Sequence, residues 1–239
     1  MKMKFFIPLT IILGAGLMAC SSVSTHIISV NTNDAVVGTT QPNAKMDSII
    51  APYTAQVKSK MGKVIGECKL EMLAQRPNSN LGNWTCDLLL QYGKDSMGLA
   101  NEPVMSLYNV GGLRAAITVG PITYGTMFQV MPFDNVVSAV KLPIAVLDEM
   151  LAYLKAKNGE PIGGISIVNG EFQLPENVRS KGYIWVVTSD FLVNGGDNML
   201  FLGKYQERKD SNKLIRNVLI DGVQKTRILE IQSEDRIIF

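Results

Sequence analysis

An α+β fold of mixed sheets layered with helices is what this sequence predicts, on three observations. Apolar residues recur at helical spacing in some stretches and at strand spacing in others. The two kinds follow one another in no regular alternation, which argues against a repeating strand–helix design. No internal repeat is present, and 46% of the 239 residues are hydrophobic, ample for a core that needs no cross-links.

The elements can be justified in order. Lys2 and Lys4 precede an apolar run, 5–17, that ends in Leu17-Met18-Ala19-Cys20. A positive start, a short apolar core and small closing residues describe an export signal over 1–19, too short to persist as a spanning helix. The cysteine directly after Leu-Met-Ala resembles the bacterial lipoprotein signal, with acylation of Cys20 expected. The chain is then expected to be exported and lipid-anchored at the cell envelope, on the periplasmic side or at the cell surface. Residues 20–44 are rich in Ser, Thr and Asn and read as a polar tether, in which 27–30 could add a short edge strand. The folded domain is expected over 45–239.

From Asp47, a plausible cap, Ile50, Tyr53, Val57 and Met61 recur at spacings of three and four, predicting a helix. Residues 64–73 read as a strand in which Cys68, Leu70 and Met72 alternate. Asn80 opens a second helix with Leu81, Trp84, Leu88 and Tyr92 on one face. A strand over 104–110 stops at Gly111-Gly112, a short helix follows over 122–131, and a strand over 136–142. Ile144, Leu147, Leu151 and Leu154 align along a helix over 142–157, closed by Asn158-Gly159. Residues 165–168 and 183–188 read as strands. Leu214, Ile215, Val218 and Leu219 suggest a last helix, and 236–239 a terminal strand.

Charge narrows the partners. Lys2 and Lys4 belong to the leader, so of 23 basic residues 21 remain against 21 acidic ones. A neutral mature chain has no global pull toward nucleic acid, and none is expected as a partner. Cys68 and Cys86 could pair in an oxidising compartment, but Cys86 falls among apolar helix neighbours, where a buried free thiol is at least as plausible. The single histidine, His26, lies in the tether. A two-metal phosphoesterase centre needs several histidines and aspartates converging on ions roughly 3.5–4 Å apart, so no such centre, and no cofactor, is expected in this chain.

Three blocks carry the chemistry. Asn109-Val110-Gly111-Gly112-Leu113-Arg114 ends a strand with two residues that let a ligand approach the backbone. There Asn109 can donate and accept, and Arg114 offers a fork suited to phosphate or carboxylate. Pro132-Phe133-Asp134-Asn135 and Thr188-Ser189-Asp190-Phe191-Leu192-Val193-Asn194-Gly195-Gly196-Asp197 each place a ring in a polar loop. Asp197 is placed to accept hydrogen bonds from a vicinal diol. Each feature taken singly has a simpler reading: a turn, a core plug, a surface charge. The ordered set shifts the balance toward a pocket for a planar polar molecule.

The order Asn-x-Gly-Gly-x-Arg, then Ile-Thr-Tyr-Gly before Pro-Phe-x-Asn, then Asp-Phe-x-x-x-Gly-Gly-Asp, resembles the C-terminal domain of 5′-nucleotidases and UDP-sugar hydrolases. The likeness runs from Asp47 through Asn80-Leu81-Gly82-Asn83 to near Phe239. In that family this domain layers helices around sheets and holds the nucleoside, while an N-terminal domain carries two metal ions and hydrolyses the phosphate. The resemblance implies that Phe133 and Phe191 sandwich the base. It assigns Asn109 and Asn135 to the base edge, Asp197 to the ribose, Arg114 to the phosphate side, and Gly163-Gly164 to a turn lining the base site. The family's additional arginine corresponds only to a shifted Arg76, and Asn198 stands where glycine is common.

The expected function is nucleoside or nucleotide recognition, completed by a separately encoded metallophosphatase chain that carries the divalent metals. A stand-alone nucleoside- or nucleotide-capturing lipoprotein, and an interaction domain that has lost its ligand, are the alternatives.

Overall fold

The structure, a computed structural model, describes residues 43–239. The leader, Cys20 and the edge strand expected at 27–30 lie outside the described residues. Helix α1 (Ala44–Met61) starts ahead of Asp47. Asn43 Oδ1 accepts from the N–H groups of Lys45 and Met46, so Asn43 is the cap, and Asp47 sits in the first turn, where the helix dipole favours a carboxylate. The spacing of Ile50, Tyr53 and Val57 marks a helix, yet all three are exposed and none of its residues is buried.

The compact unit Ser48–Phe239 is built on two sheets and a hairpin. Strand β1 (Val64–Cys68) is shorter than expected. It stops at Cys68, and Met72 makes only an isolated bridge to Ile117. In the three-stranded sheet β1 lies between β3 (Gly120–Thr123), antiparallel, and β10 (Ile228–Leu229), parallel. Helix α2 (Asn80–Ser96) opens at Asn80, as the sequence predicts, and is capped by Ser79, whose hydroxyl accepts from Gly82 N–H. Leu81 and Trp84 are buried on its inner face, and Leu88 and Tyr92 pack against the same core.

The larger sheet has the order β5–β2–β8–β4–β9: β5 (Ile162–Gly163), β2 (Val104–Leu107), β8 (Tyr183–Ser189), β4 (Val136–Pro143) and β9 (Glu207–Leu214). Central β8 is buried on both faces from Ile184 onward, as its continuous apolar run requires. On one face lies α2, where the Ser106 hydroxyl donates to Cys86 O at 2.7 Å. Cys68 and Cys86 are both buried free thiols, and burial pushes the Cys86 thiol up to about 12.

The remaining elements depart from expectation at their edges. Helix α3 (Tyr124–Val130) begins after Ile122, which belongs to β3, because Thr123 and Thr126 form a reciprocal cap. Helix α4 (Leu147–Ala156) is preceded by a 3₁₀ turn, Ile144–Val146, where a helix from residue 142 was expected. The extended backbone of Pro143, the last residue of β4, and its pairing with Tyr183 of β8 hold the chain out of helix there. Asn158 and Gly159 close α4 with φ of 56° and 92°.

Strands β6 (Ser166–Val168) and β7 (Glu171–Gln173) form a hairpin, followed by α5 (Glu176–Lys181), α6 (Asp190–Val193) and α7 (Ile215–Thr226). At the end of the chain the expected strand reduces to one bridge, Ile237 to Ile167.

Strand direction decides where the loops gather. β2 and β8 are parallel, so their C-terminal ends point the same way. Antiparallel β4 therefore begins at that edge, with Val137 opposite Ser189, and β9 ends there, with Leu214 opposite Val136. The segments after β2, β8 and β9 and the one before β4 converge on one edge of the sheet, where ligands collect in open sheets of this kind.

Candidate functional site

At that edge lies a cavity of about 250 Å³. Asn109, Gly111, Gly112 and Arg114 enter it from the segment after β2, Phe133 and Asn135 from the segment before β4, and Phe191 and Asp197 from the segment after β8. Eight of the ten pocket residues expected from sequence thus meet in one place.

The first segment is a single 3₁₀ turn, Val110–Gly112, laid over buried Tyr108. A Cβ on Gly112 would stand 2.7 Å from the Tyr108 ring and 2.8 Å from Asn109 Oδ1, so the position excludes any side chain. Asn109 is buried and donates through Nδ2 to Asp197 Oδ2 at 2.5 Å, joining the first segment to the third. Arg114 is exposed. Its N–H donates to Val130 O, which fixes the backbone, while Nη1 reaches Gly111 O at 3.2 Å and leaves most of the fork facing solvent.

The second segment is held from below by a residue that sequence reading missed. Arg216, buried at the start of α7, donates through Nη1 to Met131 O and Phe133 O and through Nη2 to Asp134 Oδ1. Its guanidinium lies 4.0 Å from the centre of the Phe128 ring, a stacked arrangement that a lysine would not reproduce. Val136 N–H donates to Asp190 Oδ1, and Ile215 N–H to Asn135 O. Phe133 is thereby presented with 41% of its surface exposed.

In the third segment the Ser189 hydroxyl caps α6 by accepting from Leu192 N–H. Gly195, Asp197 and Asn198 then take left-handed conformations, φ 90°, 52° and 61°. Asn198 occupies a conformation that glycine adopts without cost and asparagine tolerates. Phe191 lies across Gly196, where a Cβ would sit 2.4 Å from the ring, and it is 44% exposed. The Tyr153 hydroxyl donates to Asp197 O at 2.9 Å. Burial, and then the nearby Glu160 and Asp197 charges, push that phenol up to about 12, so it remains a donor.

Two expected residues lie elsewhere. Gly164 is exposed with φ 82°, between Leu90 and Val104 O, in a separate groove with Lys94 and Glu102. Its neighbour Gly163 lets β5 pack against β2 and α2, since a Cβ there would stand 2.6 Å from Ser106 Oγ and 3.2 Å from Cys86 Cβ. Arg76 points to Gly159 and Glu160 rather than into the cavity. Cys20 is outside the described residues. Arg216 and Glu160 carry no local signature that would have singled them out, because each acts through partners 50 or more residues away.

The arrangement offers two partly exposed rings for a planar group, amides from Asn109 and Asn135, a carboxylate for hydroxyls and one lining cation, Arg114. Among the described residues no group of three or more His, Cys, Asp or Glu side chains could hold a metal ion.

Residues 62–167 match the model of the family described as 5′-nucleotidase, C-terminal domain. The chain is 22% identical over 221 residues to a 5′-nucleotidase-related protein of Glossina morsitans morsitans, covering 78% of this chain and 40% of that protein. It is 24% identical over 191 residues to the human 5′-nucleotidase, covering 67% of this chain and 33% of that one. Among solved structures, the 5′-nucleotidase precursor from Thermus thermophilus superposes with a TM-score of 0.65 at 25% identity, over 80% of this chain and 42% of the other. The NAD nucleotidase of Haemophilus influenzae shares the fold, with a TM-score of 0.58 at 16% identity over 82% and 41%. The chain therefore spans less than half the length of each of these relatives. The matched segment runs from just after α1 into β6 and includes the first two parts of the cavity, so this part of the chain is similar to the 5′-nucleotidase C-terminal domain, and the likeness of fold extends over 80% of the chain.

Proposed function

We propose that this domain recognises the nucleoside part of a nucleotide. The observation that carries the reading is the convergence of Phe133, Phe191, Asn109, Asn135, Asp197 and Arg114 on one cavity at the sheet edge. The two rings stack on a base, a contact worth about 1–3 kcal/mol per base. The asparagine amides meet its polar edge, Asp197 accepts from the ribose hydroxyls, and Arg114 faces the phosphate.

Hydrolysis, in this reading, belongs to a separately encoded metallophosphatase chain that brings its own divalent metals. Here the domain contributes the positioning of the substrate in nucleotide breakdown. Two findings support that division: no metal-binding group exists among the described residues, and relatives of greater length include the human and rat 5′-nucleotidases. The Leu17-Met18-Ala19-Cys20 pattern supports export and a lipid on Cys20 as the attachment to the envelope membrane.

Calorimetric titration of the purified chain with adenosine and AMP tests recognition: saturable binding of either supports it, and no heat at saturating ligand contradicts it. Co-purification from the native source tests the partner, with a metal-dependent phosphatase expected. Mass spectrometry of the mature N-terminus tests the anchor; an unmodified Cys20 would end that part of the proposal.

A further inference from the structure

Glu160 sits in the turn after α4 with 1% of its side chain exposed, and both its oxygens are committed. One is paired with Arg76 Nη2, and the other accepts from Val110 N–H at 2.7 Å. Val110 opens the turn that carries Gly111 and Gly112 and follows Asn109 directly. Arg76 is also held on its other side, where Nε donates to Gly159 O at 3.0 Å. The chain just beyond it presses on the same turn: a Cβ on Gly159 would stand 2.8 Å from Pro77 Cα. On the opposite flank Tyr108 N–H donates to Pro161 O at 2.9 Å. Segments 76–77, 159–161 and 108–110 thus form one stack behind the cavity wall.

The charges explain why Arg76 stays there. Glu160 is buried, and a buried carboxylate stripped of its cation is strongly unfavourable. An Arg76 turned toward a ligand phosphate would leave that carboxylate with one backbone N–H as its support. The cavity lining contains a single cation, Arg114, whose fork is mostly open to solvent.

We infer that Arg76 and Glu160 are a positioning pair that sets the turn from Asn109 to Gly112, and that Arg114 alone meets the phosphate side of the ligand. The inference rests on the nucleoside reading above. It makes a specific claim about ligand class: affinity resides in the nucleoside, and the phosphate adds only what one exposed arginine provides.

The test compares adenosine with AMP by calorimetry, on the full chain and on Arg76→Met, Glu160→Gln and Arg114→Met, well below the melting temperature. Arg76→Met and Glu160→Gln are expected to weaken both ligands by the same factor, about tenfold, since each removes a charge-assisted contact behind the turn. The AMP-to-adenosine ratio then stays at its starting value. Arg114→Met is expected to weaken AMP and leave adenosine unchanged. Loss of AMP affinity alone in Arg76→Met would make Arg76 a phosphate ligand and overturn the inference. Unchanged affinity for both ligands in both pair variants would overturn it equally.

Glu160→Gln is nearly isosteric and keeps the test available if Arg76→Met does not fold. In its ¹H–¹⁵N spectrum the Val110 amide is expected to move upfield as the charged acceptor is lost, together with the Asn109 side-chain amide. A Val110 signal that does not move contradicts the pair. If the unaltered chain binds neither adenosine nor AMP, the nucleoside reading fails, while the Val110 shift still reports on the pair by itself.

Discussion

Replacing Phe133 or Phe191 with alanine separates a stacking platform from a core plug. A buried aromatic side chain covers about 150–250 Å², and these rings are 41% and 44% exposed. Each ring therefore leaves roughly 60–100 Å² for a ligand to cover. At about 25 cal/mol per Å² that is roughly 1.5–2.5 kcal/mol, or a 10- to 70-fold loss of nucleoside affinity for either alanine variant. The stability cost is bounded by the same exposure. A fully buried Phe→Ala costs about 3–5 kcal/mol, and a ring a little more than half buried scales to roughly 2–3. In a domain of this size each kcal/mol lowers the melting temperature by about 2–4 °C. Phe133→Leu and Phe191→Leu should restore most of the lost stability and little of the affinity, because leucine fills volume without a flat face. Titration calorimetry and thermal melts on the same proteins measure both quantities. Leucine variants that bind like the unaltered chain, or alanine variants that melt early with affinity intact, would refute the stacking argument.

Other perturbations follow from the same geometry. Arg216→Lys should weaken nucleoside binding and lower the melting temperature, because an ammonium cannot hold Met131 O, Phe133 O and Asp134 together; equal affinity would show that the Phe133 segment holds itself. The purified chain should not hydrolyse AMP or UDP-glucose with added Mn²⁺, Zn²⁺ or Mg²⁺, since the described residues offer no metal-binding group. Metal-dependent turnover that survives repurification would require a carboxylate site the structure does not suggest. The Cys86 thiol is held at about 12 by burial, whereas an unfolded thiol ionises near 8.5. The unfolded state therefore loses its proton first, and stability should be full below about pH 8.5 and fall from there toward 12, by up to about 1.4 kcal/mol per pH unit. Burial shifts Cys68 and Tyr108 in the same direction. Chemical denaturation across that range should show a shallower decline in Cys86→Ala, and identical slopes would remove Cys86 from the effect.

Local signals in the sequence carry much of the fold. α2, β4, β8 and α7 announce themselves through apolar spacing, and the site blocks stand after β2, before β4 and after β8, so their convergence followed from strand direction once β2 and β8 proved parallel and β4 antiparallel. β9 escaped notice because it is an edge strand, Glu-Arg-Lys-Asp-Ser-Asn-Lys-Leu, with no residue fully buried and therefore no apolar alternation. The start of α4 misled because Ile144 continues the helical spacing while Pro143 still belongs to β4. α1 misled in the other direction, its apolar face being real but exposed. Glu160 and Arg216 look like an ordinary turn acid and an ordinary helix cation. Only the folded chain places the first behind Val110 and the second beneath Phe133, and contacts of that range leave no trace in local pattern.

The most direct measurement of the central claim is a crystal structure of the chain grown with saturating AMP. The account expects the base between Phe133 and Phe191, the ribose hydroxyls on Asp197 and the phosphate beside Arg114, with Arg76 still on Glu160. Ligand density elsewhere on the molecule, or a cavity empty of nucleotide at saturation, would contradict it.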